Sequence, residues 1–362
     1  MTKPSRDWPF IYSLDSPRGA RAKEPRMFLT SPKPLITVAG ASSKQGRSVA
    51  TSLLASGRYR VRALTRQTDS AVMRQLAERG AEIVVAPLEA GRHPELVAAM
   101  RGSHGAFLMT PPTLPVAPPG QPELALGREL ANAAHAAGVQ HVVWSGLENV
   151  AARTGGTKWA PHFTEKALVE AHIRTLPLHS SFIYLAFFYS NFLEYYVPRR
   201  ARDGSLTFAI YLPPDTPMPF VDPLTATGPA VLEIFDHPER YHGKSLPVVG
   251  EVLTARQMVD TFVRVSGHKA AYASAYTREE LLSHFPSFGS NELLVRELVG
   301  MVEYAVEFGY YAPERDVAWS RQVDPSALTW KEFLQRNAWE GELLSFGVPL
   351  TAMPSCNGVV TD

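Results

Sequence analysis

LITVAGASSKQG, Leu35 to Gly46, holds a β-branched apolar run that ends at Gly40, a short bend, and a second glycine where helical spacing begins. Val49, Leu53 and Leu54 then recur on one face, so the stretch reads as strand, tight loop, helix. At such a junction backbone amides and the positive end of a helix dipole can hold a diphosphate. The spacing is Gly-x-x-Ser-x-x-Gly rather than Gly-x-Gly-x-x-Gly. A Cβ at Ser43 limits close backbone approach, while its hydroxyl offers a donor to a phosphate oxygen. Gly40, Ala41, Ser42, Ser43, Lys44, Gln45 and Gly46 form the candidate dinucleotide loop.

Outward from this loop, short apolar runs alternate with helical patterns. Tyr59 to Leu64, Glu82 to Ala86, Gly105 to Thr110, His141 to Ser145 and Ser181 to Phe187 read as further strands. Ala71 to Arg79, Pro122 to Ala137 and about His162 to Arg174 read as helices between them. Pro111 and Pro112 end the fourth strand and open a proline-rich loop that would wall a substrate pocket. The alternation predicts an α/β fold: a Rossmann doubly wound parallel sheet, with ligands at the carboxyl ends of its strands. After Asn191 prolines gather at 213, 214, 217 and 219, and helical runs such as Thr254 to Ser266 and Asn291 to Phe308 dominate. The expected organisation is an N-terminal tail over 1–33, a Rossmann domain over 34–190, a smaller, mostly helical lobe over 191–340, and a C-terminal tail over 341–362.

The chain has 362 residues, beyond the roughly 250 to 300 at which one core stops growing, so two lobes are expected. At 45% hydrophobic and 20% charged residues it can bury a sizeable core. Its 36 basic and 35 acidic residues leave a net charge of +1, which gives no broad attraction for a phosphate backbone, and direct nucleic-acid binding is not expected. The most apolar stretch, Ser181 to Val197, is interrupted by Ser190, Asn191 and Glu194, so no membrane span is expected. A single cysteine, Cys356, excludes an internal disulfide and paired-cysteine metal sites. No histidine or carboxylate spacing suggests a metal. A reducing, cytoplasmic setting is expected, with nuclear entry and oligomeric state left open.

Arg66 ends the second strand twenty residues beyond Gly46. A guanidinium there suits a 2′-phosphate by charge and geometry, where free ribose hydroxyls would call for Asp or Glu; the alternative is a solvated arginine. NADP is therefore expected over NAD. Ser145, at the carboxyl end of the fifth strand, can polarise a carbonyl or cap its loop. Phe187, Phe188, Tyr189, Phe192, Tyr195 and Tyr196 form an aromatic run where a substrate cleft would lie, with Tyr189 a spare proton donor.

The glycine loop, Val142-Val-Trp-Ser-Gly-Leu-Glu-Asn149 and His162-Phe-Thr-Glu-Lys166 together resemble the NmrA-like family of atypical short-chain dehydrogenases. The resemblance runs from Pro34 to about Asn337 and includes Phe188-Tyr-Ser-Asn191 and Asp324-Pro-Ser-Ala-Leu328. It implies an NADP-binding Rossmann lobe with contacts from Gly40 to Gln45, Arg66, Thr110, Lys166, Phe188, Tyr189, Ser190 and Asn191. Pro87 stands where the family often has an acidic residue near the adenine, so shape would hold that ring. Ordinary short-chain dehydrogenases use a Tyr four residues before a Lys as their proton relay; here that position is His162, followed by Lys166. His162 can take the acid role or be a solvent-exposed helix-start residue, and Lys166 can assist it or anchor the ribose.

Two functions follow as expectations. One is an NADP(H)-dependent oxidoreductase that reduces a carbonyl, imine or conjugated double bond of a hydrophobic small molecule, with secondary metabolism as one setting. The other is a non-catalytic NADP(H)-binding redox sensor or transcriptional co-regulator acting through a protein partner.

Overall fold

The computed structural model describes residues 33–66, 69–111 and 121–344. Leu35–Val38 (β1) is buried throughout, as a central parallel strand covered on both faces must be. Lys44–Ser56 (α1) begins where the Ser43 hydroxyl accepts the Gly46 amide at 3.0 Å and ends at Gly57, whose φ of 66° suits glycine. The alternation continues through Arg60–Thr65 (β2), Ala71–Glu78 (α2), Glu82–Val85 (β3), His93–Met100 (α3), Gly105–Leu108 (β4) and Pro122–Ala136 (α4). Next come His141–Gly146 (β5), Val150–Arg153 (α5), Pro161–Ile173 (α6) and His179–Leu185 (β6).

The chain then leaves the sheet through Phe187–Phe188 (β7), Asn191–Glu194 (α7), Arg199–Arg200 (β8), Leu206–Ile210 (β9) and Met218–Val221 (β10). It returns with Pro223–Asp236 (α8), Pro238–Tyr241 (α9) and Ser245–Val248 (β11). Glu251–Leu253 (β12), Ala255–Ser266 (α10), Ala270–Ser274 (β13), Arg278–His284 (α11), Glu292–Phe308 (α12), Trp319–Val323 (α13) and Trp330–Asn337 (α14) follow.

The main sheet is seven-stranded and parallel, ordered β3-β2-β1-β4-β5-β6-β11. This is the Rossmann order extended by one strand, and its reversal lies between β1 and β4. α1, α2 and α8 cover one face, and α3, α4 and α6 cover the other. The α/β expectation holds. Past residue 190 the chain stays against the main sheet: α8 packs along α1, β11 pairs with β6, and residues 33–344 belong to one compact unit. The later segment is mostly helical, as expected, and also carries two three-stranded sheets, β12-β10-β7 and β13-β9-β8.

Gly228 lets α8 approach α1, since a Cβ there would lie 2.2 Å from Ser52 Oγ and 2.3 Å from the Ser48 carbonyl oxygen. Among the described residues no helix is long and apolar enough to cross a membrane, and no group of three His, Cys, Asp or Glu could hold a metal. The reading of most of the two tails, Cys356 and most of the proline-bearing loop from 111 to 122 falls on residues 1–32, 112–120 and 345–362, outside the described ones.

Candidate active site

The glycine loop closes onto β1 at the switch point. Gly40 has a φ of 66°, and the Ser43 amide returns to its carbonyl at 2.8 Å. A Cβ on Gly46 would lie 2.2 Å from the Gly40 carbonyl oxygen, so only glycine lets α1 start this close to the strand. The first turn of a helix leaves amides without intrahelical acceptors, and here that turn begins at Lys44 beside the strand ends. Two side chains tie the loop to its surroundings: Ser145 donates to Gln45 Oε1 at 2.7 Å, and Lys44 forms an ion pair with Glu194 of α7.

Lys166 and His162 lie one turn apart on α6, and each meets a buried carboxylate. Lys166 Nζ donates to the Thr110 carbonyl at 3.0 Å, to Thr110 Oγ1 at 2.7 Å and to Glu123 of α4. An ammonium has three donors, so protein groups fill its capacity, and a ribose contact would have to displace one of them. Thr110 Oγ1 in turn donates to Glu123 Oε2 at 2.9 Å. Glu165 accepts the Glu123 and Leu124 amides at 2.9 and 3.0 Å, which fixes the start of α4 and hence Glu123. Burial pushes the Glu165 carboxyl up from its ordinary range.

His162 is buried, not solvent-exposed, at 8% exposure. Glu297 of α12, at 0% exposure, accepts both its Nδ1 proton at 2.6 Å and its backbone amide at 3.1 Å. A carboxylate on Nδ1 fixes the ring and its tautomer, and leaves Nε2 on the other side of the imidazole. Nε2 has no partner among the described residues.

These groups border one cavity of about 250 Å³ at the carboxyl ends of β4, β5 and β6. Of the expected site residues, Ser43, Lys44, Gln45, Thr110, Ser145 and the His162 and Lys166 pair line it, as do Phe188 and Asn191. Its walls are mostly apolar. Gly40, Ala41, Ser42 and Gly46 build the loop behind it without lining it, and Arg66 is exposed at the end of β2.

Three expectations change. Tyr189 is fully buried between Phe220, Trp330 and Phe333, away from the cavity, and burial raises its phenol well above the ordinary range. It is therefore not a proton donor to the cleft. Ser190 is fully buried and does not line the cavity either. Ser145 lines the cavity, but its proton is given to Gln45, so carbonyl polarisation would require that bond to open.

The sequence reading also missed residues. Glu123 and Glu297 look like ordinary helix charges, yet they partner Lys166 and His162. Glu297 could have been noticed because it falls on the apolar stripe of α12 with Leu294, Leu298 and Met301. Tyr211, Leu298, Met301 and Tyr310 reach the cavity from segments with no motif.

A glycine-flanked bend at the switch point of a parallel sheet, facing an apolar cleft with a helix-borne lysine, defines a protein of the Rossmann dinucleotide fold. The chain belongs to the NmrA-like family, whose model matches residues 32–334. It is 32% identical to the NmrA-like oxidoreductase FrzB of Cladobotryum sp over 298 residues, 77% of this chain and 87% of that protein. In structure it resembles NmrA, a negative transcriptional regulator solved in complex with NADP, with a TM-score of 0.64 and 24% identity over 83% of this chain and 94% of that one. It also resembles a triphenylmethane reductase of Citrobacter sp. solved with NADP(H), with a TM-score of 0.65 and 16% identity over 84% and 99% of the two chains.

Proposed function

We propose that this protein is an NADP(H)-dependent oxidoreductase that reduces a carbonyl, imine or conjugated double bond of a hydrophobic small molecule. The observation that carries this is the apolar cavity at the strand ends, into which His162 brings an unpartnered Nε2 while Glu297 holds the other ring nitrogen. Two relatives point the same way: FrzB is an oxidoreductase by name, and the triphenylmethane reductase was solved with NADP(H).

The chain's residues fit the coenzyme. Gly46 keeps open the close approach that a Cβ would fill, the first-turn amides of α1 would meet the diphosphate, and Arg66 would meet a 2′-phosphate. The bound coenzyme supplies a hydride. His162 would supply the proton: as an imidazolium it releases the proton on Nε2 to the substrate's oxygen, nitrogen or carbon and keeps the Nδ1 proton on Glu297. Lys166, with its donors held by Thr110 and Glu123, would contribute positive charge beside the cleft and keep the end of β4 in place.

A second reading is favoured by one observation. Lys166 is fully committed to protein groups and a histidine replaces the usual tyrosine, which suits a protein that binds NADP(H) and signals through a partner without turnover. NADPH oxidation in the presence of aromatic aldehydes, ketones, imines and enals separates the two. Turnover that His162→Gln lowers by about 10²- to 10⁴-fold, with coenzyme affinity retained, is expected for the enzyme. Coenzyme binding with no His162-dependent turnover on any acceptor would refute it and leave the sensor. In the same binding titrations, Arg66→Asp should erase the preference for NADP over NAD.

A further inference from the structure

A second large cavity lies away from the strand ends, on the face of the sheet that carries α1, α2 and α8. Its volume is about 420 Å³, and Arg47 and Thr51 of α1, Gln75 of α2, Arg79 just after it, Asp222 before α8 and Arg336 of α14 border it. It shares no lining residue with the catalytic cleft. Three guanidinium groups face this space against one carboxylate.

That carboxylate is already committed. Asp222 caps α8, its Oδ1 accepting the Leu224 amide at 3.1 Å and its Oδ2 the Thr225 hydroxyl at 2.8 Å. The guanidiniums of Arg79 and Arg336 make no hydrogen bond or ion pair with any described residue. Arg47 is half-buried, and Asp222 and Glu194 already act on its charge, so the two free guanidiniums are those of Arg79 and Arg336. Guanidinium groups only donate, and their planar forks match the paired oxygens of a phosphate. The cavity therefore offers donors in excess of acceptors, and like charges that an anion would relieve.

We propose that this cavity is a binding site for a small phosphate dianion, free or as the phosphoryl group of a monoester, separate from the dinucleotide cleft. Arg79 and Arg336 grip the oxygens from the two rims, and Arg47 supplies charge from the floor. The volume exceeds that of a bare phosphate and leaves space for an organic group beside Thr51 and Gln75.

The test is calorimetric titration of the full chain with inorganic phosphate and, in parallel, glycerol 1-phosphate, with chloride at matched ionic strength as the blank. One saturable site is expected, weakened about tenfold or more by Arg79→Gln and by Arg336→Gln and unchanged by Arg199→Gln on the exposed β8. Both variants change exposed residues, so the fold is retained. Equal affinity for the two probes assigns the site to the phosphoryl group alone, and tighter binding of the ester assigns a contact to its organic part. With saturating NADP⁺ the phosphate affinity should not change. Absence of saturable heat, equal weakening in Arg199→Gln, or displacement by NADP⁺ would each overturn the proposal. The titrations without NADP⁺ need no coenzyme binding, so their failure is distinct from failure of the proposed function.

Discussion

Glu297 is where stability and chemistry are most directly joined. It lies at 0% exposure, and its Oε1 receives two donors from His162, the backbone amide and Nδ1. Glu297→Leu keeps the volume apolar but removes the acceptor from both. Each buried donor left unsatisfied costs about 1–3 kcal/mol, and the apolar gain of leucine offsets part of that, so a net loss of roughly 2–4 kcal/mol is expected. At about 2.1 cal/mol/K of unfolding entropy per residue, a chain of this size shifts Tm by about 1.5 °C per kcal/mol, which places the variant roughly 3–6 °C below the parent. Glu297→Gln retains an acceptor oxygen and should melt within about 2 °C of the parent.

The two variants separate packing from positioning. In Glu297→Gln the ring loses its anionic partner without losing its place, so kcat should fall roughly tenfold or more while KM changes little. Nitrogen NMR of His162 reads the same event without substrate, as a shift of the Nδ1–H resonance when a neutral amide oxygen replaces the carboxylate. Thermal denaturation of the three proteins and the histidine spectrum decide the matter. A Leu variant that melts within 1 °C of the parent, or a Gln variant whose His162 Nδ1–H resonance is unshifted, would refute the reasoning.

Two other expectations follow from single positions. Gly46→Ala places a Cβ 2.2 Å from a backbone oxygen that cannot swing aside, so overpacking should cost about 1–3 kcal/mol and coenzyme affinity should fall with it; a variant that melts and binds NADP⁺ as the parent does would refute the close-approach role. His141, buried at the amino end of β5 against Ser181, is pushed down to about 4 by burial first and by His179, His104 and His242 next. Its folded value is below the ordinary 6.5, so the unfolded chain binds the proton first. This group then costs nothing above about pH 6.5, roughly 2 kcal/mol of stability by pH 5, and more down to pH 4. Urea unfolding of the parent and His141→Gln at pH 7 and pH 5 should show a shallower acid loss in the variant, and parallel losses would remove His141 as the cause.

The first half of the fold was legible because each strand and helix there follows local rules. β1 is an apolar run that stops at a glycine, α4 starts at a proline, and Ser43 both ends the loop and caps α1. The seventh strand escaped notice because Pro247 lies in its middle, and a proline speaks against a central strand. At the sheet edge β11 needs to pair on one side only, where it runs beside β6, so the proline is tolerated. α8 escaped for a related reason. Thr227-Gly-Pro229 reads as a turn, whereas the glycine is there because α1 crosses at that point and the helix continues through the proline.

The site divides along a different line. Residues on the glycine loop and on α6 were readable because motif and element coincide, but a buried acid on a helix looks in sequence like a solvated one. Glu148 shows this within the best-marked motif of the chain. It points away from the cleft, accepts the Ala312 amide at 3.0 Å and pairs with Arg315, so the motif's most polar residue is structural. Glu297 shows the converse. A tyrosine hydroxyl can give its proton without a second group behind the ring, whereas an imidazole has two nitrogens and directs one only if the other is held. The exchange of tyrosine for His162 thus makes sense together with an acid on α12, more than a hundred residues further along the chain. Nothing in local periodicity could link the two, because the helix that carries Glu297 is placed by the packing of the later segment on the strand ends.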